Sequence, residues 1–410
     1  MMIGTHGECM RVLLSEYACE PNRGSEAEVG WQRALHMAPL ADEVWVLTRT
    51  NNQSVIEADP LSHTPGLHFI YYDLPKWALK LKKQAWFFHF YVLLWQWGAY
   101  RKAARLHAVR PFDVVFHVTF VSIRYGSLMG WLGIPFIIGP VAGGERAPFR
   151  LRRGLPFRGK VNELIRDLNI FAQHYNPFAY LAFACAEHIY VTTSESLCLV
   201  PPKWQHKVTV HLAVASHGNT ICSVIRKLPE CPRFVYAGRL LHFKGLHLAI
   251  RALAEARMTI PDATLTLIGD GPAEDWLRAV ARRYGVSEVV EFAGRQPRQF
   301  FIGALRSYTA LVFPSLHDSG GLVVLEALSE GIPVVCLDLG GPGVIINDLC
   351  GFVVHVADAD EAQLVTGIAN AMISLGTMSS EEMKRLSYGA IARAKELSWA
   401  SLTARIAARR

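Results

Sequence analysis

Short apolar runs alternate with helical patterns along almost the whole chain, and this alternation narrows the fold more than any other feature. In the first half the strand-like runs are 11–14, 43–48, 67–71, 113–117, 135–138 and 188–191. In the second half they are 233–237, 263–268, 289–292, 311–313 and 333–337. Helical patterns such as 27–37 and 245–257 fall between them. Runs that are apolar throughout suit strands buried on both faces, and a helix between two strands returns the chain for parallel pairing. The reading is α/β: two doubly wound, Rossmann-like parallel sheets facing a cleft. The chain of 410 residues is long enough for two full cores. Residues 1–215 form the first domain in this reading and 216–397 the second. The break falls in the weakly patterned stretch 213–227. Residues 398–410 form a last helix, capped by Ser398, that returns to the first domain. Ligands of such sheets bind beyond the carboxyl ends of the strands, so function is sought in the strand-to-helix loops.

One such loop carries most of the chemistry. Asp318 and Glu326 stand eight positions apart in Pro314-Ser315-Leu316-His317-Asp318-Ser319-Gly320-Gly321-Leu322-Val323-Val324-Leu325-Glu326. A strand precedes and another follows, so a helix amino end faces the cleft there. Such an end favours a phosphate, which leaves the two acids to grip sugar hydroxyls. The second domain opens with Gly238-Arg239, and Lys244-Gly245 follows. A planar fork and a compact point charge five residues apart suit a diphosphate, and their charge neutralises it without a metal. Two surface cations are the bland alternative. Gly269-Asp270-Gly271-Pro272 is another glycine turn after a strand, suited to close approach of a base or ribose, and by itself a weak signal. Arg295 follows the next strand and either lines the nucleotide pocket or is a solvated cation.

The first domain offers softer signals. Gly24 turns the backbone before a helix, and Ser25 with Glu28 reads as a capping box. Contact with a phosphate or an acceptor competes there with an ordinary cap. His117 ends a strand and either bonds a sugar or acceptor hydroxyl or is structural. Gly143, Gly144 and Glu145 form a glycine-rich loop on the acceptor side.

Charge, cysteines and hydropathy exclude several classes. Residues 1–215 hold 22 Lys and Arg against 16 Asp and Glu, whereas residues 216–410 hold 20 against 19. The excess clusters at 76–83, 101–105 and 146–160, beside Trp77, Trp86, Phe87, Phe88, Trp95 and Trp97. Basic residues among aromatics suit an anionic membrane surface, with a solvated basic face over a buried helix as the alternative. No nucleic-acid-binding signature accompanies the charge. The apolar run 85–99 is shorter than a membrane span and carries His89 and Gln96. Residues 1–9 lack a signal core. Eight cysteines without a C-x-x-C pair point to a reducing cytosol. Asp358 and Asp360 are better explained by helix capping than by a cation.

The residues Gly238, Arg239, Lys244 and Gly245, the turn 268–272 and the run 314–327 resemble the retaining glycosyltransferases of family 4, which have the GT-B fold. The loops 18–31, 45–52 and 139–145 look like a bacterial subgroup. The resemblance implies that Arg239 and Lys244 bind the donor diphosphate and Glu326 the donor ribose. It places Asp318 near the donor sugar, with Ser319, Gly320, Gly321 and Leu322 as donor-side loop and backbone amides. His117 stands near the sugar or acceptor, and Gly24, Gly238, Gly269, Gly271 and Arg295 belong with the donor. One departure matters: the first acid of the motif is Asp318, one methylene short of Glu. A displacement of about 1 Å in a catalytic site costs on the order of 100-fold in rate. Backbone compensation, a differently held donor and weak activity are the three ways to meet it.

The function expected is transfer of a hexose, with retention, from a nucleoside diphosphate sugar to a hydroxyl acceptor. The acceptor expected is a lipid-linked saccharide in cell-surface polysaccharide synthesis. No cofactor, metal or nucleic acid is expected, and the location expected is cytoplasmic, peripheral on the inner face of the membrane. The alternatives are a nucleotide-sugar epimerase and a catalytically silent partner that binds a sugar nucleotide.

Overall fold

The computed structural model describes residues 10–82, 84–217 and 229–408, without the side chains of Ser25, Ala85 and Trp86. The expectations placed on residues 1–9, Lys83, Cys222, the Trp86 side chain and most of the break at 213–227 lie outside the described residues. Packing divides the chain into two units. The first takes residues 1–144, 170–213 and 402–410, and the second 145–169 and 214–401.

The first unit holds β1 (Arg11–Ser15), β2 (Glu43–Thr48), β3 (Leu67–Tyr71), β4 (Val114–His117), β5 (Phe136–Val141), β6 (His188–Val191) and β7 (Val208–Val210). They form one sheet in the order β3-β2-β1-β4-β5-β6-β7, parallel throughout. The second unit holds β8 (Arg233–Ala237), β9 (Thr264–Ile268), β10 (Val290–Gly294), β11 (Ala310–Phe313), β12 (Val334–Leu337) and β13 (Gly351–Val354). These run in the order β10-β9-β8-β11-β12-β13, again parallel. Each sheet starts in the middle and winds outward to both edges. The winding direction reverses beside β1 and beside β8, so the loops after those strands open a crevice at the sheet's carboxyl edge.

Burial explains which strands were legible. Val12, Leu13 and Leu14 of β1 and all of β11 and β12 are buried, which is why their sequences are uninterrupted apolar runs. The edge strands β7 and β13 escaped the sequence reading. Each is three or four residues long and only partly buried, so neither carries such a run. The helix Ala85–Val109 extends ten residues past the apolar run expected at 85–99. Its Tyr91, Val92, Trp95 and Ala99 enter the core against Leu13, Val115 and Ile138, while Phe90 and Trp97 face solvent. Half of the aromatic signal there is therefore core. Among the described residues no helix is long and apolar enough to cross a membrane. Asp360 caps the helix Glu361–Thr377 in a full capping box with Gln363, and Ser398 accepts the Ser401 N–H to cap Trp399–Ala407.

Three buried histidines tie this packing to pH. Burial pulls His117 and His211 down to about 4 and His247 to about 3, so all three are neutral in the folded chain. Unfolding releases them to an ordinary value near 6.5, and the unfolded state then binds more protons than the native one between that value and about 4. Their contribution is present above about 6.5 and is lost as pH falls through this window, at on the order of 2 kcal/mol per histidine between pH 7 and 5. The melting temperature is expected to be clearly lower at pH 5 than at pH 7 by calorimetry, and an unchanged or higher value would contradict this account.

Candidate active site

The loops after β8 and β9 press together because they lack side chains where they meet. A Cβ on Gly269 would stand 2.0 Å from the Gly238 carbonyl oxygen, and one on Gly271 would stand 2.3 Å from that of Leu240. Both glycines have positive φ, which L side chains rarely adopt. The Leu240 N–H donates to the Asp270 carbonyl at 2.8 Å and pins the two loops in register. Beside them opens a cleft of about 940 Å³. Gly238, Arg239, Gly269, Gly271, Arg295 and Glu326 all line it, together with Asp270, Arg298 and Phe301.

Arg298 is the residue the sequence reading missed. Its Nε donates to Glu326 Oε1 at 2.6 Å. Burial raises the Glu326 carboxyl above its ordinary value, and the Arg298 charge and hydrogen bond pull the other way. Arg298 opens an unremarkable loop-to-helix stretch 28 positions before Glu326, so no motif marks it.

Asp318 is held at both ends. Its carboxylate forms a direct ion pair with Lys244, and its Oδ1 accepts the Gly320 N–H at 3.1 Å. Its carbonyl accepts the Gly341 N–H at 2.6 Å, where a Cβ on Gly340 would come within 2.2 Å. The shorter acid thus closes back on its own loop. The Gly320 amide, one of those expected to face a ligand, donates to Asp318 here. Gly321, with φ +70°, caps the helix that begins at Leu322, and half-buried Ser319 lies in the same turn. The loops of Lys244 and Asp318 also touch through backbone, since a Cβ on Gly245 would lie 1.9 Å from the Pro314 carbonyl oxygen.

A second acid reaches this loop from the helix Phe157–Gln173. Glu163 Oε1 lies 2.9 Å from His317 Nε2, and both side chains are almost fully buried. The His317 ring stacks on Phe243 with centroids 4.0 Å apart. Burial pushes Glu163 up, but the hydrogen bond from His317, with the Arg152 charge and the Ala147 N–H, outweighs it and holds the carboxyl below its ordinary value. Burial pulls His317 down, against Glu163. Both directions describe a carboxylate accepting from a neutral imidazole Nε2–H. A cavity of about 240 Å³ adjoins the pair, lined also by Arg166 and His242.

The first unit gathers its expected residues less tightly. The helix after β1 begins at Gly24, and Arg23 is the N-cap without a side-chain bond. Ser25 is therefore inside the helix, which corrects the capping box. The Glu28 carboxylate does turn back, to the Asn22 N–H at 2.8 Å. Glu26 does more: it accepts the N–H groups of Phe120 and Val121 at 2.8 and 3.0 Å and fixes the helix start to the segment after β4. His117 pairs in register with Ser15 and Ile138, is buried, and has no partner on either ring nitrogen. Gly143 has φ +112° with open space around it, whereas the Gly144 N–H donates to Ser196 Oγ. Glu145 packs with the second unit instead, its carboxylate 3.5 Å from Arg166. The loop expected on the acceptor side is thus split between the two units. Among the described residues no three His, Cys, Asp or Glu side chains gather as a metal site requires.

Comparison with known proteins agrees with this geometry. Residues 224–391 match the family model described as glycosyl transferases group 1. A glycogen synthase of Mycobacterium tuberculosis is 37% identical over 139 residues, which is 34% of this chain and 33% of that protein. The lipopolysaccharide core biosynthesis glycosyltransferase LpsE of Rhizobium meliloti is 32% identical over 163 residues, 38% of this chain and 46% of the relative. The matched stretch therefore spans a third to a half of these relatives. The solved lipopolysaccharide outer core galactosyltransferase WaaB superposes over 97% of this chain and 98% of its own, with a TM-score of 0.62 at 15% identity. Anabaena Alr3699/HepE in complex with UDP gives the same coverage and TM-score. The chain has the two-domain GT-B architecture, and its residues 224–391 are similar to the group 1 glycosyl transferases.

The Glu163–His317 pair makes an asymmetric prediction. His317→Ala strands a buried carboxylate and is expected to cost about 3 kcal/mol, whereas Glu163→Gln keeps an acceptor and is expected to cost about 1 kcal/mol. Denaturant unfolding measures both, and equal losses would show that the pair is not the ionised contact described.

Proposed function

We propose that this chain transfers a hexose from a nucleoside diphosphate sugar to a hydroxyl acceptor, retaining the anomeric configuration and using no metal. The observation that carries the reading is the clustering of Arg239, Arg298 and Glu326 in one cleft, with Lys244 paired to Asp318 on loops that meet where Gly245 touches Pro314. Arg239 and Lys244 supply positive charge for the diphosphate. Glu326, oriented by Arg298, accepts from ribose hydroxyls. Asp318 balances Lys244 until donor phosphate takes up that charge, and then its carboxylate is available to a sugar hydroxyl. The bond from the anomeric carbon to the diphosphate breaks as an acceptor oxygen attacks the same face, and the leaving phosphate oxygen takes the acceptor's proton. Stabilising the departing diphosphate carries most of the rate. His117, neutral near pH 7, is assigned to a sugar or acceptor hydroxyl.

The names of the relatives support a donor of this class and a surface-polysaccharide setting. The acceptor proposed is a lipid-linked saccharide, reached from a peripheral position on an anionic membrane surface. The test is nucleotide release from UDP-, GDP- and ADP-sugars with and without a membrane lipid extract. Extract-dependent release is expected, reduced on the order of 100-fold by Lys244→Ala and lost in Glu326→Ala. Donor binding without release under any condition would replace the reading with a silent sugar-nucleotide-binding partner, and conversion of the donor sugar without an acceptor would replace it with an epimerase.

A further inference from the structure

The helix Phe157–Gln173 is turned inside out. Gly159, Glu163 and Ile170 are buried and Arg166 and Asp167 partly so, which makes its inner face mostly polar. Its outer face is apolar: Phe157 is 81% exposed, Leu164 58%, Leu168 59% and Phe171 62%, with Val161 and Ile165 between them. Residues 157, 161, 164, 165, 168 and 171 follow a single helical stripe. A globular helix ordinarily buries such a stripe, and an exposed one of this length marks a contact surface.

Charge selects what covers it. Both acids of the helix are committed inward, Glu163 to His317 and Asp167 to Arg152. Around the outer face Arg153, Arg158 and Lys160 are exposed and form no ion pair among the described residues, and the Glu361 carboxylate beside Gly154 is taken up by Arg251. Residues 146–160 contain six Lys and Arg and no acid. A second copy docking on the same face by two-fold symmetry would bring these like charges together. An anionic lipid surface offers the opposite charge above an apolar layer that accepts the stripe.

We propose that the helix Phe157–Gln173 lies in the interface of an anionic bilayer, its stripe among the acyl chains and Arg153, Arg158 and Lys160 at lipid phosphates. The same helix holds His317 beside Asp318 through Glu163, so the docking element is fastened to the candidate active site. The inference extends the lipid-linked-acceptor reading and rests on it for its purpose. Vesicle binding is read without donor or acceptor, so a chain that binds vesicles yet releases no nucleotide overturns the transferase reading alone.

The experiment is co-sedimentation of the full chain with phosphatidylcholine vesicles with and without phosphatidylglycerol, alongside light scattering for solution mass. Wild type is expected to bind the phosphatidylglycerol vesicles. Leu164→Ser with Leu168→Ser is expected to weaken binding about tenfold or more while leaving the melting temperature unchanged, since both side chains are exposed. Arg153→Gln with Arg158→Gln and Lys160→Gln, or added salt, is expected to remove the preference for anionic vesicles. No wild-type binding, or equal binding by the leucine variant, overturns the proposal. So does a wild-type dimer that the leucine variant dissociates without any vesicle binding, which would assign the stripe to a second copy.

Discussion

The close backbone contact between the strand-to-helix loops of the second sheet is the constraint on which the rest of the site depends. Gly238 and Gly269 meet at a distance no Cβ allows, and so do Gly245 and Pro314. These contacts bring loops far apart in sequence into one rim. Arg239 and Glu326 then share one cleft and Lys244 pairs with Asp318, although no two of these residues are adjacent in the chain. Parallel strand order makes this possible, because β8 sits between β9 and β11 and sends its loop out between theirs. Replacing a rim glycine would be felt in the cleft before it was felt in the core.

Electrostatics in the site is arranged as nested pairs. Lys244 is matched to Asp318 and Arg298 to Glu326, while Arg239 and Arg295 line the cleft without a described acid partner. A site of this kind has a positive surplus that an anionic ligand completes. The paired acids offset part of the repulsion among the cations. Asp318 is pinned through its backbone by Gly341 and through its carboxylate by Gly320 and Lys244.

Particular residues show what spacing alone reveals. The cleft gathers Gly238, Arg239, Gly269, Gly271 and Arg295, legible because each follows an apolar strand within a few residues, and Glu326, legible by its spacing from Asp318. Arg298 was not legible, since it pairs with Glu326 across 28 positions of ordinary sequence. Glu163 was less so, lying 154 positions from His317 on a helix whose pattern looks amphipathic in the usual sense. Sequence gives the period of such a helix but not which face turns inward. The capping box at Ser25 failed for a local reason: the helix starts at Gly24, two residues before the Glu26 that such a cap implies.

By itself the sequence determined two parallel sheets, all of their strands but the edge strands β7 and β13, and the glycine and charge positions at their carboxyl ends. Burial on both faces leaves a continuous apolar run, and a turn leaves its glycine, so both can be read locally. Tertiary structure alone decided the partners: Arg298 for Glu326, Glu163 for His317, Lys244 for Asp318. It also decided that the stretch 145–169 packs with the second unit and presents its apolar stripe outward. These are choices among long-range contacts of similar chemistry. They are settled by which surfaces the packed sheets leave available, and no local pattern records that.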